Sequence, residues 1–212
     1  MKTDELISLL AADPTPEPNT VARRFAVALA LGMAGAFLLM VATHGVRADL
    51  AQATLEAMFW GKLVFAGSLA FAALIATQRL GHPGVRLGGL RLALAAPVLV
   101  LWLVAAVVLL AAPAAQLSHL ILGETWTTCA FSIAMISLPL FMATLCALRG
   151  LAPTHLALAG ASAGLLAGSL STMVYALHCP ESGAPFVAVW YVLGIAIPTL
   201  AGAMLGPRVL RW

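Results

Sequence analysis

Long apolar runs of about 20 residues alternate along this chain with short connectors that contain Gly, Pro and charged side chains. A helix needs about 20 mostly apolar residues to cross the hydrocarbon core of a bilayer. The runs are too long, and alternate too little in polarity, to be strands of a barrel. We therefore predict an all-α membrane protein, a six-transmembrane-helix bundle with spans at 24–43, 58–77, 92–112, 129–148, 155–177 and 186–205.

Composition supports this prediction. The chain of 212 residues is 62% hydrophobic and only 9% charged, whereas soluble domains carry about 25% charged residues. So little polar surface indicates that the lipid bilayer solvates most of the chain. The net charge of +3 does not indicate direct nucleic-acid binding, because most basic residues flank the apolar runs, where they orient a membrane protein.

The basic residues also predict the orientation of the bundle. Nine of the eleven lie on one set of flanks, and the positive-inside rule places those flanks in the cytoplasm together with both termini. Connectors 44–57, 113–128 and 178–185 then face outward. The predicted divisions are a cytoplasmic tail at 1–20, a transmembrane domain at 21–207 and a short cytoplasmic C-terminus at 208–212. The nine residues are Lys2, Arg23, Arg24, Arg79, Arg86, Arg91, Arg149, Arg208 and Arg211.

Glycines spaced four residues apart predict close helix contacts in the last two spans. Small residues let helix backbones approach each other in lipid, and packing within the bundle is the simplest use of these positions. Prolines inside the third, fourth and sixth spans predict kinks. The glycines are Gly160, Gly164, Gly168, Gly202 and Gly206, and the prolines are Pro97, Pro139 and Pro198.

The tail "MKTDELISLLAADPTPEPNT" combines a short amphipathic pattern with a proline-rich tether. Asp4 and Glu5 suit the first turn of a helix, and prolines after residue 13 end it. Four acidic residues against one lysine disfavour an anionic membrane surface. The tail is either a disordered leader or a helix that binds in the groove of a cytoplasmic protein. The apolar residues that would make this contact are Leu6, Ile7, Leu9 and Leu10.

Three cysteines without a C-x-x-C motif permit one disulfide and leave one thiol over. Cys129 opens the fourth span and Cys179 closes the fifth, so both are predicted at the outer surface, where an oxidising compartment allows a disulfide. With His178, the two thiolates are a candidate site for a soft metal. A buried or bridged pair with a structural role is the alternative. Cys146 is predicted to be a small packing residue.

Catalytic motifs are missing from the sequence, which contains no P-loop, no G-x-S-x-G and no H-E-x-x-H. No span centre carries a carboxylate, which argues against a proton-coupled transporter. Lys62, near the outer end of the second span, is predicted to snorkel, or else to pair with an outward acid. We therefore predict a protein that is not an enzyme and needs no obligatory cofactor. A small transporter or a membrane thiol oxidoreductase is the alternative.

Several stretches together resemble the NrsF-type anti-sigma factors, six-span bacterial inner-membrane proteins that hold an extracytoplasmic-function (ECF) sigma factor inactive. The resemblance covers nearly the whole chain, and its most specific part is the last two spans with the outward cysteines. The stretches are "MKTDELISLLA", "AFSIAMISLPLFMATLCALRGLAPTHLALAGASAGLLAG", "YALHCPESGAPFVAVWYVLGI" and "RVLRW".

The resemblance implies a regulator located in the bacterial inner membrane as a multi-pass protein. Its partner would be an ECF sigma factor, bound through the N-terminal segment that contains Asp4, Glu5, Leu6, Ile7, Leu9 and Leu10. Cys129 and Cys179 match the family's outward cysteine pair, which is linked to sensing of heavy metals or oxidants. A soft heavy-metal ion would then be the signal and not a resident cofactor.

Overall fold

The structure, a computed structural model, describes residues 18–85, 88–151 and 153–211. The residues predicted to contact a sigma factor, Asp4 to Leu10, lie outside these ranges. In chain order the helices are α1 (Pro18–Thr43), α2 (Leu50–Ala53), α3 (Ala57–Leu80), α4 (Leu90–Ala111), α5 (Leu117–Leu122), α6 (Trp126–Ile136), α7 (Leu138–Arg149), α8 (Leu156–Tyr175), α9 (Ala184–Phe186) and α10 (Val192–Val209).

Six helical segments in the described ranges are long and apolar enough to cross a membrane, which confirms the predicted bundle. Five of them are α1, α3, α4, α8 and the segment from α9 through α10, and the sixth contains both α6 and α7. The predicted ends agree with these helices to within four residues, except at the first span, where α1 begins six residues before the predicted start. Large apolar side chains such as Leu31, Phe71 and Leu110 are exposed on the outside of the bundle, as expected where lipid is the solvent.

α1 begins at Pro18, three residues before the predicted boundary of the transmembrane domain at residue 21. Proline has a fixed φ that suits the first turn of a helix, and its missing N–H is not needed there. Pro18 was predicted to belong to the tether that ends the tail helix, but it instead starts the first long helix. The remaining divisions of the chain into tail and C-terminus stay predictions.

α8 is the central helix, with α10 packed along it and α3 on another side. The predicted glycine contacts are confirmed as contacts within one chain. A methyl group on Gly164 would overlap the carbonyl oxygen of Pro198, and one on Gly160 would overlap that of Gly202. The two backbones therefore touch directly. α1 packs mainly on α7, and α4 lies at the edge of the bundle against α3 and α9.

Two long spans contain breaks in the regular α-helical hydrogen bonding. The fourth is interrupted at Ser137, whose hydroxyl donates to the Ala134 carbonyl (2.6 Å), and Pro139 then lies at the start of α7. The sixth contains a π-helix at Val187–Tyr191, an irregularity that often occurs at functional sites. The Ala188 carbonyl within it accepts a hydrogen bond from Trp102 Nε1 on α4 (3.0 Å).

Connectors 44–56, 112–125 and 176–183 meet at one end of the bundle, which we call the thiol end because Cys129 and Cys179 lie there. Backbone and side-chain hydrogen bonds join them, including one from Arg47 N to the Leu177 carbonyl (3.2 Å). At the opposite end Arg149 Nε donates to the Val209 carbonyl (2.7 Å). The predicted grouping of the connectors is thus confirmed, while their side of the membrane stays a prediction.

Candidate functional site: a buried thiol pair

Cys129 and Cys179 are both completely buried in the main apolar core. The two side chains lie near each other, since Cys129 has the largest effect on the pKa of Cys179, although fifty residues separate them in the sequence. Cys129 lies in the first turns of α6, and Cys179 lies in connector 176–183 just after α8. Cys146 is exposed on the surface of the bundle, so its prediction as a packing residue is wrong.

Two tyrosines flank the thiol pair. Tyr175 lies near Cys129, and Tyr191 of the π-helix lies near Cys179, with 6.1 Å between the centroids of the two tyrosine rings. The Tyr191 hydroxyl is fully buried and has no hydrogen-bond partner among the described residues. The chain has only two tyrosines, and both lie here. The scarcity of tyrosine in the sequence is a signal that could have marked both residues as part of this site.

Lys62 on α3 directs its ammonium group toward the thiol end. It is 1% exposed, so the predicted snorkelling to solvent is wrong. Nζ donates instead to the carbonyls of Glu181 (2.7 Å) and Cys179 (3.3 Å). Among the described residues its hydrogen bonds go to these carbonyls and not to a carboxylate, so the predicted ion pair is wrong as well. A buried positive charge therefore lies beside Cys179.

The surroundings of Cys179 favour its thiolate. The neighbouring Cys129 thiol is the largest influence, and with the Tyr191 hydroxyl and the Lys62 ammonium it lowers the pKa of Cys179, while burial acts in the opposite direction. Thiolates, not thiols, are the nucleophiles and metal ligands of proteins. The pair is therefore chemically unequal, with Cys179 as the member that ionises more readily.

A histidine pair lies next to the thiols at the same end. The rings of His44 and His178 are 5.0 Å apart between centroids. His178 Nδ1 lies 3.0 Å from the Gly45 carbonyl oxygen. Because a carbonyl only accepts, Nδ1 carries the proton, and Nε2 of the neutral ring keeps its lone pair. Burial, followed by the nearby His178, lowers the pKa of His44.

The predicted metal ligands are only partly brought together. Cys129 and Cys179 are adjacent, and two thiolates are sufficient for a two-coordinate soft ion. In the ranges that the structure describes, however, no group of three or more His, Cys, Asp or Glu side chains is arranged to hold a metal ion. His178 lies one residue from Cys179 but is oriented by Gly45. Its role as a third ligand stays a prediction.

Glu181 and its neighbours hold connector 176–183 in place. Glu181 Oε1 accepts hydrogen bonds from the backbone N–H groups of Glu124 (2.7 Å) and Thr125 (3.3 Å), directly before α6. Ser182 Oγ donates to Glu56 Oε2 (3.1 Å) on another connector. The sequence did not identify these contacts, because each joins residues more than fifty positions apart.

The fold and the site together define a multi-pass helical membrane protein with a buried pair of thiols at one end. The chain matches the family described as NrsF, negative regulator of sigma F, over residues 10–212. No solved structure matches it.

Two relatives match the chain along the whole length of both sequences. It is 47% identical over 213 residues to a probable anti-sigma-F factor NrsF of Azospira oryzae. It is 38% identical over 228 residues to the anti-sigma-F factor NrsF of Caulobacter vibrioides. The chain therefore belongs to the NrsF family, which confirms the resemblance stated from the sequence.

Proposed function

We propose that this protein is a membrane-bound anti-sigma factor of the bacterial inner membrane. One observation carries the proposal, the full-length similarity to two relatives that are named anti-sigma-F factors. An anti-sigma factor needs a sigma factor as its partner, and we infer one of the extracytoplasmic-function type. Both termini lie in the cytoplasm in this proposal, because nine of the eleven basic residues flank that side. The protein then acts by binding and not as an enzyme.

The sigma factor binds the N-terminal segment in this proposal. Asp4 and Glu5 start a short helix, and the apolar face formed by Leu6, Leu9 and Leu10, with Ile7 beside it, enters a groove on the sigma factor. A helix this short is marginal in water alone. The tail therefore loses conformational entropy when it folds on the sigma factor, and this loss weakens binding. A modest change in the tail or its attachment is then sufficient to release the sigma factor.

The thiol pair receives the signal in this proposal. A peroxide oxidises one thiol to a sulfenic acid with release of water, and the second thiol displaces a further water to give the disulfide. A soft metal ion instead replaces the thiol protons and is held by both sulfurs, with His178 Nε2 as a further ligand. The nearness of Cys129 to Cys179, and the lowered pKa of Cys179, support either reaction.

A pull-down of the full-length protein in detergent tests the partner and the segment together. The protein is compared with a deletion of residues 2–13 and with a Leu6→Asp, Leu10→Asp variant. A Lys2→Ala variant is the matched control, because it changes the same segment outside the apolar face. We expect the sigma factor to bind wild type and Lys2→Ala but neither altered tail. Retention of the sigma factor by the deletion variant would refute the proposed contact.

A further inference from the structure

We propose that Glu181 is a positioning residue for the thiol pair, linking the connector that carries Cys179 to the helix that carries Cys129. The inference rests on the proposed function, since it assigns the residue that prepares the two thiols for reaction. Glu181 does not react itself. Its carboxylate fixes where one sulfur lies relative to the other.

The hydrogen bonds of Glu181 reach both halves of the pair. Glu181 follows Cys179 by two residues, and its Oε1 accepts from the N–H groups of Glu124 and Thr125 at 2.7 and 3.3 Å. The Cys129 N–H in turn donates to the Thr125 carbonyl at 3.0 Å. The Glu181 side chain thus joins connector 176–183 to the start of α6, and each attachment point lies about one helical turn or less from a cysteine. Hydrogen bonds to an ionised acceptor are about twice as strong as neutral ones, so the link resists thermal displacement.

Gly123 gives independent support for a fixed carboxylate. Its φ is +57°, a conformation that glycine adopts readily and other residues avoid. A Cβ built on Gly123 would lie 2.7 Å from Glu181 Oε2 and 2.8 Å from Cδ, well inside van der Waals contact. Gly123 has no side chain, so the Glu181 carboxylate can lie directly against the backbone there.

Lys62 fixes the other end of the link. Its buried ammonium holds the Glu181 and Cys179 carbonyls at 2.7 and 3.3 Å, so the backbone that carries Glu181 is itself attached to α3. With the backbone held by Lys62 and the side chain held by the start of α6, Cys179 has little freedom to move away from Cys129. Restricting two groups in this way raises their effective concentration toward each other.

If Glu181 only stabilised the fold, its replacement would have a different effect from the one proposed here. The Glu181 carboxylate lies at the N-terminal end of α6, where a negative charge also stabilises the helix. A role limited to helix capping would change the thermal stability of the bundle. It would leave the equilibrium between the dithiol and the disulfide unchanged, since that equilibrium depends on how the two sulfurs are placed.

The test measures the equilibrium constant for the pair against glutathione in the full-length protein, in detergent. The reaction is protein dithiol plus oxidised glutathione giving protein disulfide plus two reduced glutathiones. All variants carry Cys146→Ser, because that exposed thiol would react separately. The disulfide fraction is read by mass shift after alkylation, and the thermal midpoint is recorded in parallel.

Glu181→Ala removes the link, and Gly123→Ala forces the carboxylate away without changing it. We expect each to lower the equilibrium constant about tenfold, the scale of lost hydrogen bonds to a charged group, or ~30 mV for this two-electron couple. Glu181→Gln keeps an acceptor oxygen but loses the charge, so its equilibrium constant should lie between those of Glu181→Ala and wild type.

Two control variants separate the link from general effects. Glu124→Ala keeps the backbone N–H that donates to Glu181 and should behave as wild type. Gly84→Ala strains another positive-φ glycine, with φ +78° and open space around it, and should leave the constant unchanged.

Three results would overturn the inference. Equilibrium constants within twofold of wild type for Glu181→Ala and Gly123→Ala would do so while leaving the proposed function intact, even if both variants were less stable. Equal losses in Glu181→Ala and in a control variant would show that the carboxylate is not the cause. A wild-type pair that forms no disulfide would refute the oxidation step of the proposed function, and the positioning role with it.

Discussion

Replacing Gly164 by alanine tests the close packing that holds α8 and α10 together. A Cβ at this position would overlap the Pro198 carbonyl oxygen and lie 2.8 Å from the Thr199 Cα. Ordinary van der Waals contact begins at 3.4 Å, so the helices must move apart by at least ~0.6 Å. A gap of this size forfeits about a quarter or more of each dispersion contact across the interface. Both groups that the Cβ would meet are backbone atoms, which cannot turn aside as a flexible side chain does.

The expected loss of stability follows from two opposing effects. Overpacking costs about 1–3 kcal/mol, and rigid backbone contacts place this site near ~3 kcal/mol. Alanine recovers up to ~1 kcal/mol of helix propensity relative to glycine. The net loss is then ~2 kcal/mol, a fall of about 4–8 °C in Tm for a chain of this length.

Thermal unfolding in detergent, followed by size-exclusion chromatography of heated samples, measures this loss. Gly67→Ala on α3 is the matched control, because a Cβ there would lie 3.8 Å from the flexible end of Met173. Its Tm should equal or slightly exceed that of wild type. A Gly164→Ala protein as stable as Gly67→Ala would refute the direct backbone contact between α8 and α10.

Three further predictions concern the site and its surroundings. Lys62→Met should raise the pKa of Cys179, because the ammonium that favours the thiolate is removed. Modification of Cys179 by methyl methanethiosulfonate should then slow below about pH 8.5, the range in which an ordinary thiol is protonated. An unchanged pH profile of the modification rate would contradict this. Cys129→Ser and Cys179→Ser should each abolish the response to oxidants or Cd²⁺ while the protein still accumulates in membranes, and a normal response in either variant would exclude a two-thiol signal. Trp102→Phe removes the hydrogen bond to the Ala188 carbonyl (3.0 Å). The free energy of unfolding should fall by about 1 kcal/mol, which lowers Tm by about 2–4 °C. An unchanged Tm would show that the π-helix does not depend on α4.

The six spans could be predicted from the sequence because lipid imposes a length and a composition on every helix that crosses it. The glycine contacts followed from the same constraint, since few other features let helices pack closely in lipid. The ends of the helices were less certain. Pro18 starts α1 without an N–H that would need a partner, and the Ser137 hydroxyl donates to the Ala134 carbonyl. Both features depend on the local turn and not on the apolar pattern.

The candidate site was predictable only in part. Cys129 and Cys179 stand out because they are reactive residues at matching ends of neighbouring spans. The contacts of Glu181 and Lys62 could not be read in the same way, because they join side chains to backbone groups 57 and 119 residues away. Backbone C=O groups occur at every residue and N–H groups at every residue except proline, so no sequence pattern marks the one that will bond to a given side chain.

The arrangement of helices gives the thiol pair a mechanical connection to the opposite end of the bundle. Connector 176–183 joins α8 to α9 and the π-helix, and α10 continues from there in direct backbone contact with α8. A displacement of Cys179 therefore acts on both helices, and their glycine contacts let them move as one unit. At the far end Arg149 Nε holds the Val209 carbonyl at the end of α10 (2.7 Å), which connects that unit to α7 and, through α7, to α1 and the N-terminal segment.

This connection predicts that weaker packing between α8 and α10 reduces the release of the sigma factor. Gly164→Ala separates α8 from α10 without touching the thiols, so we expect it to bind the sigma factor normally in the resting state but to release less of it when the thiols are oxidised. Gly67→Ala, which leaves the pair intact, should release as much as wild type. The measurement is the fraction of sigma factor eluted from immobilised protein by a peroxide, at equal disulfide content in all samples. Equal release from all three proteins would mean that the signal reaches the other end of the bundle by a route that does not require α8 and α10 to move together.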